Sequence, residues 1–156
     1  MDYVNHPRYG NKPIVSEYDF TNSEIDDAYW RYKGIEYFRE TAIPADITKQ
    51  VDALYPRRIY VDIKESCRSC SRPFIFYALE QQYWFEVLSF YIDSHCVRCI
   101  DCRRQEREFK DIRRTYCELI SKQERTAAET DTLKSIAEQL FELGLIKDQS
   151  KVDKIR

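Results

Sequence analysis

The chain has 156 residues, of which 43% are hydrophobic and 14% aromatic, enough to bury the core of one ordinary domain and too apolar for a disordered chain. Three glycines against twelve tyrosines argue against a collagenous or linker-like protein and against a glycine-rich phosphate loop. A net charge of −2 excludes binding to nucleic acid by bulk charge, so any such binding needs a local basic face.

The opening MDYVNHPRYGNKPIVSEYDF has no apolar leader region, and no later run approaches the length of a membrane span, so a cytosolic protein without membrane contact is expected. Residues 1–22 carry Pro7, Gly10 and Pro13 among polar groups and read as an extended arm. Ser23 offers an N-cap, with Asp26 following, for a short helix bearing Ile25, Ala28, Tyr29 and Tyr32. Pro44 closes that region, and the stretch from Pro44 to Pro56 is at most a turn or a short helix.

The run RIYVDIK alternates Ile59, Val61 and Ile63 with Tyr60, Asp62 and Lys64, the pattern of a half-buried strand, and leads straight into Cys67. After Cys70, RPFIFY is a second β-prone run, which places the first cysteine pair at the turn of a hairpin. Residues 78–91 turn helical, with Leu79, Tyr83, Val87, Phe90 and Tyr91 near one broad face. Residues 103–123 form the clearest helix: Phe109, Ile112, Tyr116, Leu119 and Ile120 fall on one side, and Arg103, Arg107, Lys110 and Arg114 form a narrow stripe opposite. Leu133, Ile136, Ala137, Leu140 and Phe141 repeat the helical period after a cap at Thr130 or Asp131, with Gly144 as the residue beyond the helix end.

The cysteines carry the chemistry. Two C-x-x-C turns facing each other supply the four thiolates of a tetrahedral metal, and a reducing compartment favours metal ligation over disulfides. The first pair is Cys67 and Cys70; the second is either Cys96 with Cys99 or Cys99 with Cys102. The flanking sequence favours Cys99 and Cys102, because Cys102 leads into the long helix, whose backbone N–H groups stabilise a thiolate, and Cys96 stands as the alternative ligand. Cys117 lies far along that helix beside the basic stripe and reads as a free thiol, His95 reads as a loop histidine, and His6 has no identifiable partner. Arg68, Arg72, Arg98 and Arg103 flank the ligands, where they offset the net −2 charge of four thiolates around a divalent cation.

The order CRSC, FIF, EQ, YW, Glu86, Phe90 and RCIDCR resembles the probable zinc-ribbon domain of bacterial proteins that are mostly uncharacterised. The resemblance spans residues 67–104 and implies that Cys67, Cys70, Cys99 and Cys102 bind one Zn²⁺ per chain. Cys96 stands where that family has proline, and Ser89 where it has a helix-ending glycine.

The expected architecture is α+β: an N-terminal arm with a short helix (1–58), a small four-cysteine zinc ribbon of hairpin plus helix (59–104) and a C-terminal helical region (105–156), packed as one compact unit. A closed four-thiolate shell leaves no position for water or substrate, and with two histidines, neither beside a recognisable nucleophile, no catalytic constellation assembles. The leading expectation is a non-catalytic interaction or adaptor protein whose partner is another protein, with no signal for oligomeric state. A nucleic-acid-binding ribbon using Arg103, Arg107, Lys110 and Arg114 is the alternative, although Glu106, Glu108 and Asp111 interrupt that face. A thiol-redox protein or a metalloenzyme, with iron in place of zinc, is the second alternative.

Overall fold

The computed structural model describes residues 2–51 and 53–156, which form two compact units, residues up to 103 and residues 104–156. Among the described residues, no helix is long and apolar enough to cross a membrane.

The first unit is built on a three-stranded antiparallel sheet in the order β1 (Tyr37–Pro44), β2 (Ile59–Ser66), β3 (Pro73–Phe76). The hairpin β2–β3 matches the sequence expectation, with Ile63 opposite Phe76 and Ser66 opposite Pro73. Strand β1 had no sequence prediction. Its register slips between Phe38 and Ile43, and the Thr41 hydroxyl repairs the ladder by donating to Phe38 O at 2.6 Å and accepting from Asp62 N at 2.8 Å.

Helix α1 (Asn22–Ala28) is capped by Thr21, not Ser23. The Thr21 hydroxyl accepts from Glu24 N at 3.1 Å while the Glu24 carboxylate accepts from Thr21 N at 2.7 Å, so the sequence T-N-S-E closes both ends of a capping box that Ser23 could not. Its buried Ile25 and Ala28 pack on Ile59, Val61 and Ile63.

The opposite face of β2 is buried too, which corrects the half-buried reading. Tyr60 packs with Ala78, Phe85 and Ile92 under helix α2 (Ala78–Gln82) and the π-helical turn Tyr83–Val87 that extends it. Asp62, 1% exposed, survives there because its carboxylate accepts from Ala78 N at 2.7 Å and Ile14 N at 2.9 Å. The arm is therefore fastened to the sheet, and His6, far from lacking a partner, lies with Nε2 3.7 Å from Glu80 and its ring against Tyr9. The helix predicted over 78–91 ends early: Leu88 closes the turn and Ser89 takes φ 56°, the left-handed conformation for which glycine is the usual residue.

Burial pushes the Asp62 carboxyl up to about 6 against the two N–H bonds that favour its charged form. The folded protein thus holds this proton above the unfolded pKa of about 3.9, so the stabilisation is complete below about pH 4 and is lost as pH rises through 6, on the order of 2–3 kcal/mol in all. Asp62→Asn is expected to remove that slope and to add a constant cost of about 1–3 kcal/mol for one orphaned N–H. Chemical denaturation of both proteins at saturating zinc between pH 4 and 7 checks this; parallel curves would sink it.

The second unit holds the later turns of helix α3 (Ile100–Ser121) with α4 (Ala127–Glu142) and α5 (Gln149–Asp153). Leu133, Ala137, Val152 and Ile155 make its core, joined by Tyr116, Leu119 and Phe141. Helix α4 is capped by Thr126, earlier than the expected Thr130 or Asp131, because Thr126 and Glu129 form a second capping box. Gly144, at φ 74°, ends it as expected: Leu145 N bonds Leu140 O and Gly144 N bonds Phe141 O, both at 2.9 Å.

Candidate metal centre

The first cysteine pair sits where β2 ends. Cys67 N donates to Arg72 O at 3.0 Å and Ser71 N to Cys67 O at 2.9 Å, with Ser71 at φ 63°, and this tight turn points the sulfurs of Cys67 and Cys70 the same way. The second pair opens α3: Cys99 immediately precedes the helix and Cys102 lies in its first turn. Arg68 N to Val97 O at 2.9 Å ties the hairpin turn to the loop before Cys99.

The Sγ atoms of Cys67, Cys70, Cys99 and Cys102 all lie within 4.8 Å of one another, and those of Cys70 and Cys99 are 3.8 Å apart. A tetrahedron of sulfurs around zinc with bonds of about 2.3 Å has edges of about 3.8 Å, so the donors fit one ion. Cys96 is outside the cluster. It is buried, its thiol donates to Arg98 O at 3.2 Å, and burial pushes its pKa up to about 12. Cys117 is exposed and free.

The electrostatics of the four thiols suit a cation. Burial raises Cys67, but the N–H groups of Cys99, Cys70 and Ser69 outweigh it and bring the thiol down to about 6; Arg72 lowers Cys70. Once those sulfurs are charged, the others resist: burial and the neighbouring sulfurs raise Cys99 and push Cys102 up to about 12. A bound metal ion would stabilise all four thiolates together and displace the remaining protons. Arg72 supplies the outer positive charge, with Nε 3.4 Å from Cys70 Sγ, Nη2 3.8 Å from Cys99 Sγ and 3.0 Å from Asp101.

The predicted basic stripe does not stay together. Arg103 turns inward, 19% exposed, and donates to Glu80 Oε1 at 2.8 Å and to Arg98 O at 3.1 Å, with its guanidinium 5.6 Å from the Trp84 ring centre. Lys110 pairs with Glu106 at 3.2 Å and Arg114 with Asp111 at 2.9 Å, while Arg107 is exposed. His95 bonds Glu65 and is not near the sulfurs as a ligand.

Sequence reasoning missed what the E-Q pair does. Glu80 anchors Arg103 at the start of α3, and Gln81 Nε2 donates to Val61 O at 2.8 Å and Phe76 O at 3.1 Å, clamping the two strands that deliver the first cysteine pair. It also missed Arg57, 1% exposed, whose guanidinium lies over Tyr29 and Phe85 at 4.1 and 4.7 Å and donates to Ile92 O. Neither role has a local periodic signal, since Glu80 and Arg103 are 23 positions apart and Arg57 and Ile92 are 35 apart.

No curated protein and no solved structure matches the chain. A family model described as a probable treble clef domain matches residues 61–111, which run from the middle of β2 into α3. With one cysteine pair on a hairpin turn, the other on the first turn of a helix, and all four sulfurs converging, residues 61–111 are a treble clef zinc-binding domain with a four-cysteine site.

Proposed function

We propose that the chain is a non-catalytic interaction protein in which one zinc ion, held by Cys67, Cys70, Cys99 and Cys102, fixes the hairpin to the start of α3 so that the first unit can present a binding surface. The observation that carries this reading is the donor set itself: four converging sulfurs complete a tetrahedron and leave no ligand position for water or substrate. Zinc is the ion the reading takes, since a d¹⁰ cation accepts four thiolates without redox chemistry. The pairing of Lys110 and Arg114 with carboxylates of their own helix speaks against the basic stripe as a phosphate-binding face.

Protein purified without chelator is expected to contain one zinc per chain. Its cobalt-substituted form is expected to show a tetrathiolate spectrum that azide or cyanide leaves unchanged; a shift on adding either anion would mean an open, catalytic position and would end this reading. In the same preparation, duplex DNA at physiological salt is expected to bind no tighter than about 10⁻⁴ to 10⁻⁶ M, falling steeply with salt. Tighter binding that Lys110→Glu with Arg114→Glu abolishes, zinc retained, would put nucleic acid in the partner's place.

A further inference from the structure

On the first unit, Trp30, Leu54, Tyr55, Tyr91, Ile92 and Asp93 line a groove of about 440 Å³. Trp30, Leu54, Tyr55 and Tyr91 are 58%, 90%, 69% and 57% exposed, in a unit that buries Tyr32, Tyr60 and Tyr77 almost completely. Large apolar side chains gathered around one concavity mark a contact surface more than scattered exposed residues do.

The groove also carries one fixed negative charge. Asp93 Oδ1 accepts from the Tyr29 hydroxyl and from Trp30 Nε1 at 3.3 Å, which holds the carboxylate and the indole in place. Burial raises its carboxyl, but the Tyr29, Trp30 and Tyr91 donors and the Arg31 charge outweigh it, so it is ionised at neutral pH. Among the described residues, no lysine or arginine makes an ion pair with Asp93. The indole of Trp30 already accepts a cation, since the Arg31 guanidinium lies 4.7 Å from its ring centre, yet Arg31 does not line the groove.

Aromatic walls around a carboxylate that feels Arg31 but makes no direct ion pair suit an alkylammonium group, whose methylenes lie on the rings while its charge meets both the carboxylate and the ring faces. The donors already on Asp93 leave too few lone pairs for the two-pronged fork of a guanidinium, so a compact ammonium fits better. A neighbouring groove of about 810 Å³ shares Trp30, Leu54 and Tyr55 and adds the carboxylates of Glu24, Asp26 and Asp27 against only Lys33 and Arg58. Lys33 pairs with Asp27 at 3.7 Å, which leaves a small acidic excess on a surface long enough for a stretch of chain, and that excess favours a basic one. Building on the interaction reading above, we propose that this groove receives a lysine side chain presented by a basic segment of a partner polypeptide, with its ammonium on Asp93 and its stem against Trp30, Leu54, Tyr55 and Tyr91.

The test titrates short alanine–serine peptides with a central lysine, arginine, acetyl-lysine or glutamate into the zinc-loaded full chain and follows the Trp30 and Trp84 indole resonances. The lysine peptide is expected to shift Trp30 and not Trp84, with acetyl-lysine and glutamate at least about tenfold weaker. Tyr55→Ser and Leu54→Ser change exposed positions and are expected to keep zinc and the Trp84 resonance while losing the Trp30 response. Asp93→Asn is expected to reduce the preference for lysine over acetyl-lysine to about unity. The proposal is overturned by equal binding of acetyl-lysine, by tighter binding of arginine, or by no Trp30 shift at millimolar peptide. It is also overturned if the chain is a dimer that Tyr55→Ser makes monomeric, since a second copy would then fill the groove. Crosslinked capture from lysate separates the two levels: a partner held equally by wild type and Tyr55→Ser, with no peptide response, removes the groove and keeps the interaction reading, whereas no partner and no response removes both.

Discussion

Cys99→Ser protein is expected to purify without metal and to lose the cooperative thermal transition of the first unit, whereas Cys117→Ser protein keeps both. Cys99 is fully buried, its backbone N–H bonds Cys67 Sγ at 3.3 Å, and its sulfur joins the cluster that connects the end of β2 to the start of α3. Apparent binding energies of structural zinc sites run to about 10–16 kcal/mol, as large as the total stability of about 5–15 kcal/mol typical of a domain. At roughly 4–8 °C per kcal/mol for a unit of this size, losing even a few kcal/mol lowers the Tm by about 20 °C. Both tryptophans, Trp30 and Trp84, lie in the first unit, so their fluorescence reports this transition directly. Cys96→Ala serves as the buried control: it deletes a thiol that bonds only a carbonyl and is expected to retain zinc at a cost of about 1–2 kcal/mol. A folded, metal-free Cys99→Ser protein, or zinc lost with Cys96→Ala, would overturn the ligand set.

The second large effect is expected at Arg103. Arg103→Ala leaves the carboxylate of Glu80, 5% exposed, without its closest cation, and breaking a buried pair from one side costs about 3–5 kcal/mol. The remaining neighbour, His6 at 3.7 Å, is more distant than the 2.8 Å guanidinium contact. Lys110→Ala and Arg114→Ala, which break exposed pairs on the same helix, are expected to stay within about 0.5 kcal/mol. Adding Glu80→Gln to an Arg103→Met chain is expected to recover much of the loss, because the unpaired charge goes with it. The measurement is denaturant unfolding alongside zinc content. If Glu80→Gln restores nothing and zinc leaves with Arg103, the arginine serves the thiolates and not the carboxylate.

The cysteine pairs were legible because C-x-x-C at a turn is a local pattern, and the hairpin β2–β3 that carries the first pair joins runs separated by a few residues. Helical periodicity placed Tyr116, Leu119, Leu133 and Ala137 in a packed core and Gly144 at a helix end. The T-x-x-E boxes at Thr21 and Thr126 are equally local and follow the same rule, although they lie before the expected caps at Ser23 and at Thr130 or Asp131.

What the tertiary structure decided has one physical character: it depends on pairing between groups far apart in the chain, which leaves no local period. Strand β1 reads as polar because it is an edge strand with Arg39 and Glu40 exposed, and its register is set by Thr41 meeting Asp62. Asp62 marks β2 as half-exposed by pattern, yet the strand is covered on both faces because the arm and α2 bring Ile14 N and Ala78 N to that carboxylate. Arg103 falls on a basic stripe by helical period, yet it is drawn inward because Glu80, fixed beside Gln81 on α2, is already buried there and a buried charge must be met by another. Local spacing determined the C-x-x-C turns, but only the folded chain took Cys102 and left Cys96 outside the cluster; long-range compensation of buried charge decided which polar residues became structure and which were left on the surface.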